Sequence, residues 1–361
     1  MTAAVAAQAP ALRRYAILAP GVFASRSAKT AHGVIAYARD QTVAVIDPSR
    51  AGERVCDAVL YLHSDAPIVR DLDEALRYAP TALLIGVAPA GGALPAAWRA
   101  WILQALDANL EIVSGLHEVL ADDAEFAAAA QRGDGSIWDV RVPPPPRLFT
   151  GEANAVRAPI ALFVGSDCAV GKMTAALELT AAARAQGRRA EFVATGQTGI
   201  MIAGRGIAID RVIADFASGA VEQLVLESAP DAEILFVEGQ GGINHPAYAP
   251  VSLALLYGCA PDALILVHLV TRERMDGFGT PLLPLAQLVI LYERLCETVK
   301  PAKVCGIALN THGLDDAQAR GAIDDARRQT GLPCDDVVRY GADAFYDAIA
   351  PALAHKGVPL K

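Results

Sequence analysis

The run FVGSDCAVGKMTAAL at residues 163–177 has the residue types that hold a phosphate. An apolar stretch ends at Val164, a loop bounded by Gly165 and Gly171 follows, and a helical pattern opens at Lys172. Glycines let backbone N–H groups turn inward around an anion. A helix N-terminus adds free donors at the positive end of its dipole, and Lys172 adds a full charge. The candidate cofactor-binding residues are Gly165, Ser166, Asp167, Cys168, Ala169, Val170, Gly171, Lys172, Met173 and Thr174. The common form of such a loop is GxxxxGK[ST]. Here Ser166 takes the first-glycine position, and Met173 stands where a serine or threonine would ligate magnesium. Thr174 comes one residue later and points elsewhere on a helix.

Other polar residues follow apolar runs in the same half of the chain. Glu238 ends the run ILFVE, where a carboxylate faces a ligand or closes a strand end. His245, in Asn244-His245-Pro246, is a candidate general base, with a structural histidine as the plain alternative. The run TGQTG at 195–199, with Gly204 and Gly206 beyond it, suggests a mobile loop closing over substrate through Gln197 and Thr198. Arg272, with Arg274 close by, is a candidate bidentate clamp for a carboxylate. Asp210 and Asp215 open a helical pattern, where capping is their ordinary role. In the first half, Ser25, Ser27, Lys29 and Thr30 open a helix and offer either a second anion site or an N-cap.

These residues need elements to carry them. In the first half, strand patterns at 15–19, 42–46, 82–87 and 111–114 alternate with helical ones at 27–39 and 96–108. In the second, strands at 160–164, 190–194, 234–238, 263–268 and 303–309 alternate with helices that include 172–186 and 283–299. Such alternation predicts parallel, doubly wound α/β sheets whose ligands sit beyond the carboxyl ends of the strands. That edge includes 25–30 and 88–92. The four prolines 143–146 mark the boundary.

Apolar residues make up 53% of the chain and charged residues 20%, with a net charge of -9. This balance excludes a disordered chain and a nucleic-acid partner, and suits a cytoplasmic enzyme with a small-molecule substrate. The uncharged stretches 78–98 and 239–261 are broken by proline and glycine, so no membrane span is expected. The N-terminal MTAAVAAQAPALRR lacks a basic region ahead of its apolar part and is read as a tail, not a signal peptide. Six cysteines without a CxxC pair fit a reduced cytoplasm. Homo-oligomerisation is a further expectation.

The loop GSDCAVGK is similar to that of dethiobiotin synthetase and its relatives, G-x-D-x-x-V-G-K-T; Gly165, Asp167, Val170, Gly171 and Lys172 match, and Met173 does not. VEGQGG at 237–242 resembles that family's V-E-G-x-G-G, which implies that Glu238 approaches the metal or the phosphates. GIALN at 306–310 resembles the strand whose last residue meets adenine, which makes Asn310 a base contact. With magnesium-ATP, the implied metal set is Thr174, Asp215 and Glu238.

Runs from residue 27 to 311, among them SAKTAHGVIAYA, VIDPSRAG, LLIGVAPAGG, ATGQTGI, VEGQGGINHPAY and GIALNT, resemble a bacterial family catalogued as a domain of unknown function. Its members pair a Rossmann-like N-terminal domain with a dethiobiotin-synthetase-like P-loop domain. The implied fold class is α/β, with a Rossmann-like domain at 1–142, a Pro-rich linker at 143–158 and a P-loop NTPase-like doubly wound domain at 159–361. The family includes D-glutamate N-acetyltransferases that use acetyl-CoA. The resemblance therefore implies an N-acetyltransferase acting on D-glutamate or a similar amino acid, with Glu238 or His245 as base. A magnesium-ATP-dependent carboxylate ligase or kinase is the alternative, and a non-catalytic nucleotide-binding module a third. Coenzyme A carries adenine, a pyrophosphate and a 3′-phosphate, so the loop suits acetyl-CoA as well as ATP.

Overall fold

A computed structural model describes residues 12–87 and 94–354. The ligand-edge segment 88–92 expected from the sequence lies outside the described residues. The chain divides into two compact units, Met1–Val142 and Pro143–Lys361. Each is a parallel-sheet α/β domain.

In the first unit, the strands are β1 (Arg14–Leu18), β2 (Gln41–Ile46), β3 (Ile68–Val69), β4 (Ala82–Ile85), β5 (Glu111–Ser114) and β6 (Ser136–Asp139). They form one parallel sheet in the order β3-β2-β1-β4-β5-β6. The helices are α1 (Lys29–Tyr37), α2 (Val55–Ala58), α3 (Leu72–Leu76), α4 (Arg99–Asp107) and α5 (Ala124–Arg132). Helices on both faces explain why β1, β2 and β4 read as continuous apolar runs. The carboxylate of Asp47, fully buried after β2, accepts from the backbone N–H of Gly21 at 2.8 Å and of Phe23 at 3.1 Å. It thereby fastens the loop after β1.

In the second unit, the strands are β7 (Ile160–Gly165), β8 (Ala190–Val193), β9 (Ile234–Val237), β10 (Ala263–Leu269), β11 (Lys303–Asn310) and β12 (Cys334–Asp335). Their order is β12-β11-β10-β7-β9-β8, all parallel. The helices are α6 (Lys172–Ala185), α7 (Gln197–Ala203), α8 (Ala214–Ser228), α9 (Ala249–Cys259), α10 (Leu285–Cys296), α11 (Asp316–Thr330) and α12 (Asp343–Ile349). Helix α10 buries Leu285, Leu288, Tyr292 and Cys296, a single face at helical spacing.

Two expectations need correction. The expected mobile loop around Gln197 and Thr198 is helix α7, with Thr198, Gly199, Ile200 and Met201 buried against the domain. Its glycines serve close packing: a Cβ at Gly199 would run into the Glu238 carboxylate. The run 143–158 is part of the second unit, not a free spacer. The buried Glu222 carboxylate on α8 accepts from Thr150 N–H at 2.7 Å, Thr150 Oγ1 at 2.9 Å and Ala153 N–H at 3.2 Å. Gly219, one turn earlier, leaves room for the backbone of Arg147.

Candidate functional site

The chain leaves β7 for α6 and β8, returns through β9 beside β7, then crosses to β10 on its other side. That reversal opens a crevice beyond the carboxyl ends of β7, β9 and β10. The phosphate loop, residues 165–172, fills its floor. Ser166 N–H donates to Val267 O of β10 at 3.0 Å. Gly171 adopts φ 108°, a left-handed conformation that strains any side chain, and hands the chain into α6. The first backbone bond from α6 back into the loop runs from Ala175 N–H to Gly171 O at 2.9 Å. The N–H groups of Lys172, Met173 and Thr174 precede it, as the orphan donors of a helix N-terminus.

Lys172 is buried, and its Nζ donates to Asp167 O at 2.8 Å and Gly241 O at 2.6 Å. Burial lowers its pKa to about 8. Residues 239–242 come this close because they are nearly all glycine. A Cβ at Gly239 would run into Phe163 O, and one at Gly242 would lie 2.9 Å from Asp167 Cα.

Glu238 follows β9 directly and is 4% exposed. Its Oε2 accepts from Thr195 N–H at 3.0 Å and Gly196 N–H at 3.1 Å. Burial raises its pKa to about 7, against the pull of those amides, of Gln240 and of Lys172. A carboxyl with that affinity exchanges its proton near neutrality, which suits a general base. Gln197 and Thr198 begin α7 immediately after Gly196. The structure thus brings Lys172, Glu238, Gln197 and Thr198 to the ends of neighbouring strands β7, β9 and β8.

Asp167, fully buried, is the hub of a latch. Its Oδ1 accepts from Cys168 N–H at 2.8 Å; its Oδ2 accepts from Asp276 N–H at 2.7 Å and an Arg272 guanidinium N–H at 2.8 Å. Arg272, expected as a substrate clamp, is committed to this loop carboxylate because a buried charge requires a partner. His245, expected as a base, uses both nitrogens. Its Nδ1 accepts from Ala247 N–H at 3.2 Å, which leaves Nε2–H to donate to Asp276 O at 2.9 Å. The ring stacks on Tyr248 at 4.5 Å and meets the edge of Phe278 at 5.1 Å. It positions the 272–282 segment over the loop.

Asp167, Cys168 and His245 each offer a ligand atom within 4.8 Å of the others. The Asp167 oxygens and both His245 nitrogens are already bonded, and burial pushes the Cys168 thiol up to about 11. The trio fits a latch, not a metal centre. The magnesium set implied by Thr174, Asp215 and Glu238 draws on residues in different settings. Asp215 is exposed on the first turn of α8 and makes none of the contacts that tie the loop together, and Glu238 spends an oxygen on two amides. Asn310 ends β11 as a buttress: Nδ2 donates to Val170 O at 3.2 Å, and Oδ1 accepts from His312 N–H at 3.0 Å. In the first unit, Ser25 Oγ accepts from Ser27 N–H at 3.2 Å and Lys29 is exposed, the geometry of an N-cap.

Sequence reasoning passed over three residues here. His268, on β10, places Nδ1 2.9 Å from Ser166 Oγ, and burial lowers its pKa to about 4, so the ring is neutral. Tyr292 of α10 donates to Gly165 O at 2.7 Å and accepts from Ile243 N–H at 3.1 Å. Asn244 sits between Ile243 and His245. The one available signal was His268, a polar residue near the end of a buried strand and so at the ligand edge. Tyr292 reads as an ordinary core position of an amphipathic helix.

Among the described residues, no helix is long and apolar enough to cross a membrane. The chain is 38% identical over 281 residues to a D-glutamate N-acetyltransferase of Tritonibacter scottomollicae, covering 77% of this chain and 84% of the relative. It is 37% identical over 277 residues to a second protein of that name from a Pseudoalteromonas species, covering 75% and 82%. The crystal structure of a DUF1611 family protein from Anabaena variabilis superposes with a TM-score of 0.90 at 39% identity, over 94% of this chain and 99% of that one. Residues 48–143 match the DUF1611 N-terminal Rossmann-like domain and residues 147–346 the DUF1611 C-terminal P-loop domain, both described as domains of unknown function. With this two-domain match and these relatives, the chain belongs to the DUF1611 family.

Proposed function

We propose that this protein is an N-acetyltransferase that moves the acetyl group of acetyl-CoA to the amine of D-glutamate or a similar amino acid. The observation that carries the reading is Glu238, a buried carboxyl with a pKa of about 7 beside the phosphate-loop lysine. The names of the two relatives supply the reaction class. Acetyl-CoA, when bound, supplies an activated acetyl thioester. Lys172 and the free amides of 172–174 hold its phosphates, Lys172 exchanging two carbonyl partners for phosphate oxygens. Glu238 takes a proton from the substrate ammonium, so that the amine attacks the thioester carbon. The CoA thiolate leaves and takes up the second proton that the nitrogen sheds as the amide forms, and the proton on Glu238 returns to solvent. Gln197 and Thr198, beside Glu238, are the substrate-binding candidates. We place the reaction in the cytoplasm, a reading supported by six cysteines that form no disulfide among the described residues.

A magnesium-ATP-dependent ligase or kinase draws support from the loop itself, but Met173 and the exposed Asp215 weaken its metal set. A purely nucleotide-binding module leaves the raised pKa of Glu238 unused. The test is thiol release from acetyl-CoA by the purified protein with D-glutamate, with and without magnesium-ATP. Thiol release that depends on the amino acid and ignores ATP supports transfer. Turnover only with magnesium-ATP overturns it in favour of the ligase.

A further inference from the structure

We infer that Asn244 contacts the acceptor substrate, reading both a donor and an acceptor on it; this rests on the proposed amino-acid chemistry of the site. Both polar atoms of its side chain, Oδ1 and Nδ2, are buried with no hydrogen-bond partner among the described residues. A buried amide with neither group satisfied is among the costlier things a fold can retain, and an apolar side chain of the same shape would remove the cost.

The orphan is held in place by its neighbours. Gly241 O accepts from Lys172 Nζ at 2.6 Å. Gly242 packs on the backbone of Asp167. Ile243 N–H donates to Tyr292 Oη at 3.1 Å, and Tyr292 in turn holds Gly165 O. His245 is fixed by Asp276 O on the other side. Every residue from 241 to 245 except Asn244 is therefore tied to the phosphate loop or to the segment latched on it. An amide so framed is preorganised for something the chain itself does not provide.

Its chemistry limits what that is. Oδ1 needs an N–H or O–H donor, and Nδ2 needs an acceptor. A bare phosphate or carboxylate satisfies only Nδ2. An amino acid brings an ammonium and a carboxylate on one α-carbon and satisfies both. The two atoms are buried, and residues 246–248, which follow within the same loop, are exposed to solvent, so the substrate reaches the amide by a small movement of this loop.

The experiment compares wild type, Asn244→Leu and Asn244→Asp by three readouts: melting temperature, calorimetric binding of D-glutamate to the CoA-loaded protein, and KM for D-glutamate. Asn244→Leu is expected to melt no lower than wild type, to keep its affinity for CoA within twofold, and to lose at least tenfold in D-glutamate affinity, about 1.4 kcal/mol. Asn244→Asp, which keeps the shape and adds a charge against the substrate carboxylate, loses at least as much and covers the case in which the leucine variant fails to fold. Normal turnover with unchanged KM in a folded variant overturns the inference and leaves the acetyl-transfer reading standing. Amino-acid binding that is sensitive to Asn244 without any turnover does the reverse. A wild-type protein that neither binds nor acetylates D-glutamate overturns both.

Discussion

Glu238→Gln separates stability from catalysis. The wild-type carboxyl has its pKa raised to about 7 from an ordinary 4.5, chiefly by burial. Between those two values the folded chain keeps a proton that the unfolded chain has released. Stability therefore falls as pH rises through that window and levels off above about 7. The gap corresponds to about 3 kcal/mol at neutral pH. Glutamine keeps the shape, its carbonyl oxygen accepts from Thr195 and Gly196 as before, and it does not titrate. Relative to wild type, the variant gains that same amount on going from pH 4.5 to pH 7.5. In a domain of about 200 residues this is a relative rise in melting temperature of about 6–12 °C.

The activity prediction runs the other way. Wild-type kcat/KM rises with pH through about 7 as Glu238 ionises, and falls as Lys172 loses its proton from about 8 upward. The glutamine variant binds acetyl-CoA normally and turns over at least a hundredfold more slowly, the ordinary contribution of a general base. Calorimetric melting across pH and a thiol-release assay measure both. A pH-independent stability difference would refute the raised pKa, and retained turnover would refute the base.

Three further outcomes follow from the loop. Lys172→Ala weakens CoA binding at least tenfold, about 1.4 kcal/mol, by calorimetry; unchanged affinity removes Lys172 from phosphate binding. Met173→Ser leaves acetyl transfer unchanged, whereas a gain of magnesium-dependent ATP hydrolysis would move the protein to the ligase reading. Gly239→Ala drives a methyl group into Phe163 O, part of the β7 backbone, and costs at least about 3 kcal/mol by denaturant unfolding. A variant as stable as wild type would show that the strand end of β9 does not pack on β7 as described.

The long buried strands were legible because apolar runs between turn signals have few other readings; β5 and the start of β7 fall on their expected residues. The edge strands β3 and β12 were not, since two residues carry no pattern. The half-exposed β6 has too little apolar face to announce itself. Glycines misled at one place. At 196–199 they suggested mobility, yet Gly196 and Gly199 are there to let Gln240 and Glu238 approach the backbone. Sequence cannot tell a glycine required for freedom from one required for closeness, because both need only the absence of Cβ.

Charged residues at the site were found by type and misassigned by partner. Arg272 was expected to meet a substrate carboxylate, and it meets Asp167. The loop aspartate explains why. A fully buried carboxylate inside a phosphate loop opposes the anion the loop must hold, unless its charge is neutralised locally. Arg272 supplies a cation, and the N–H groups of Cys168 and Asp276 supply donors, so Asp167 spends its charge inward. What remains to meet an anion is the helix N-terminus and Lys172. The same contacts bind the 272–282 segment to the loop, so Asp167→Asn would lose the latch while making the loop more positive. Tighter anion binding with slower transfer is the signature that distinguishes this role from a simple loss of structure.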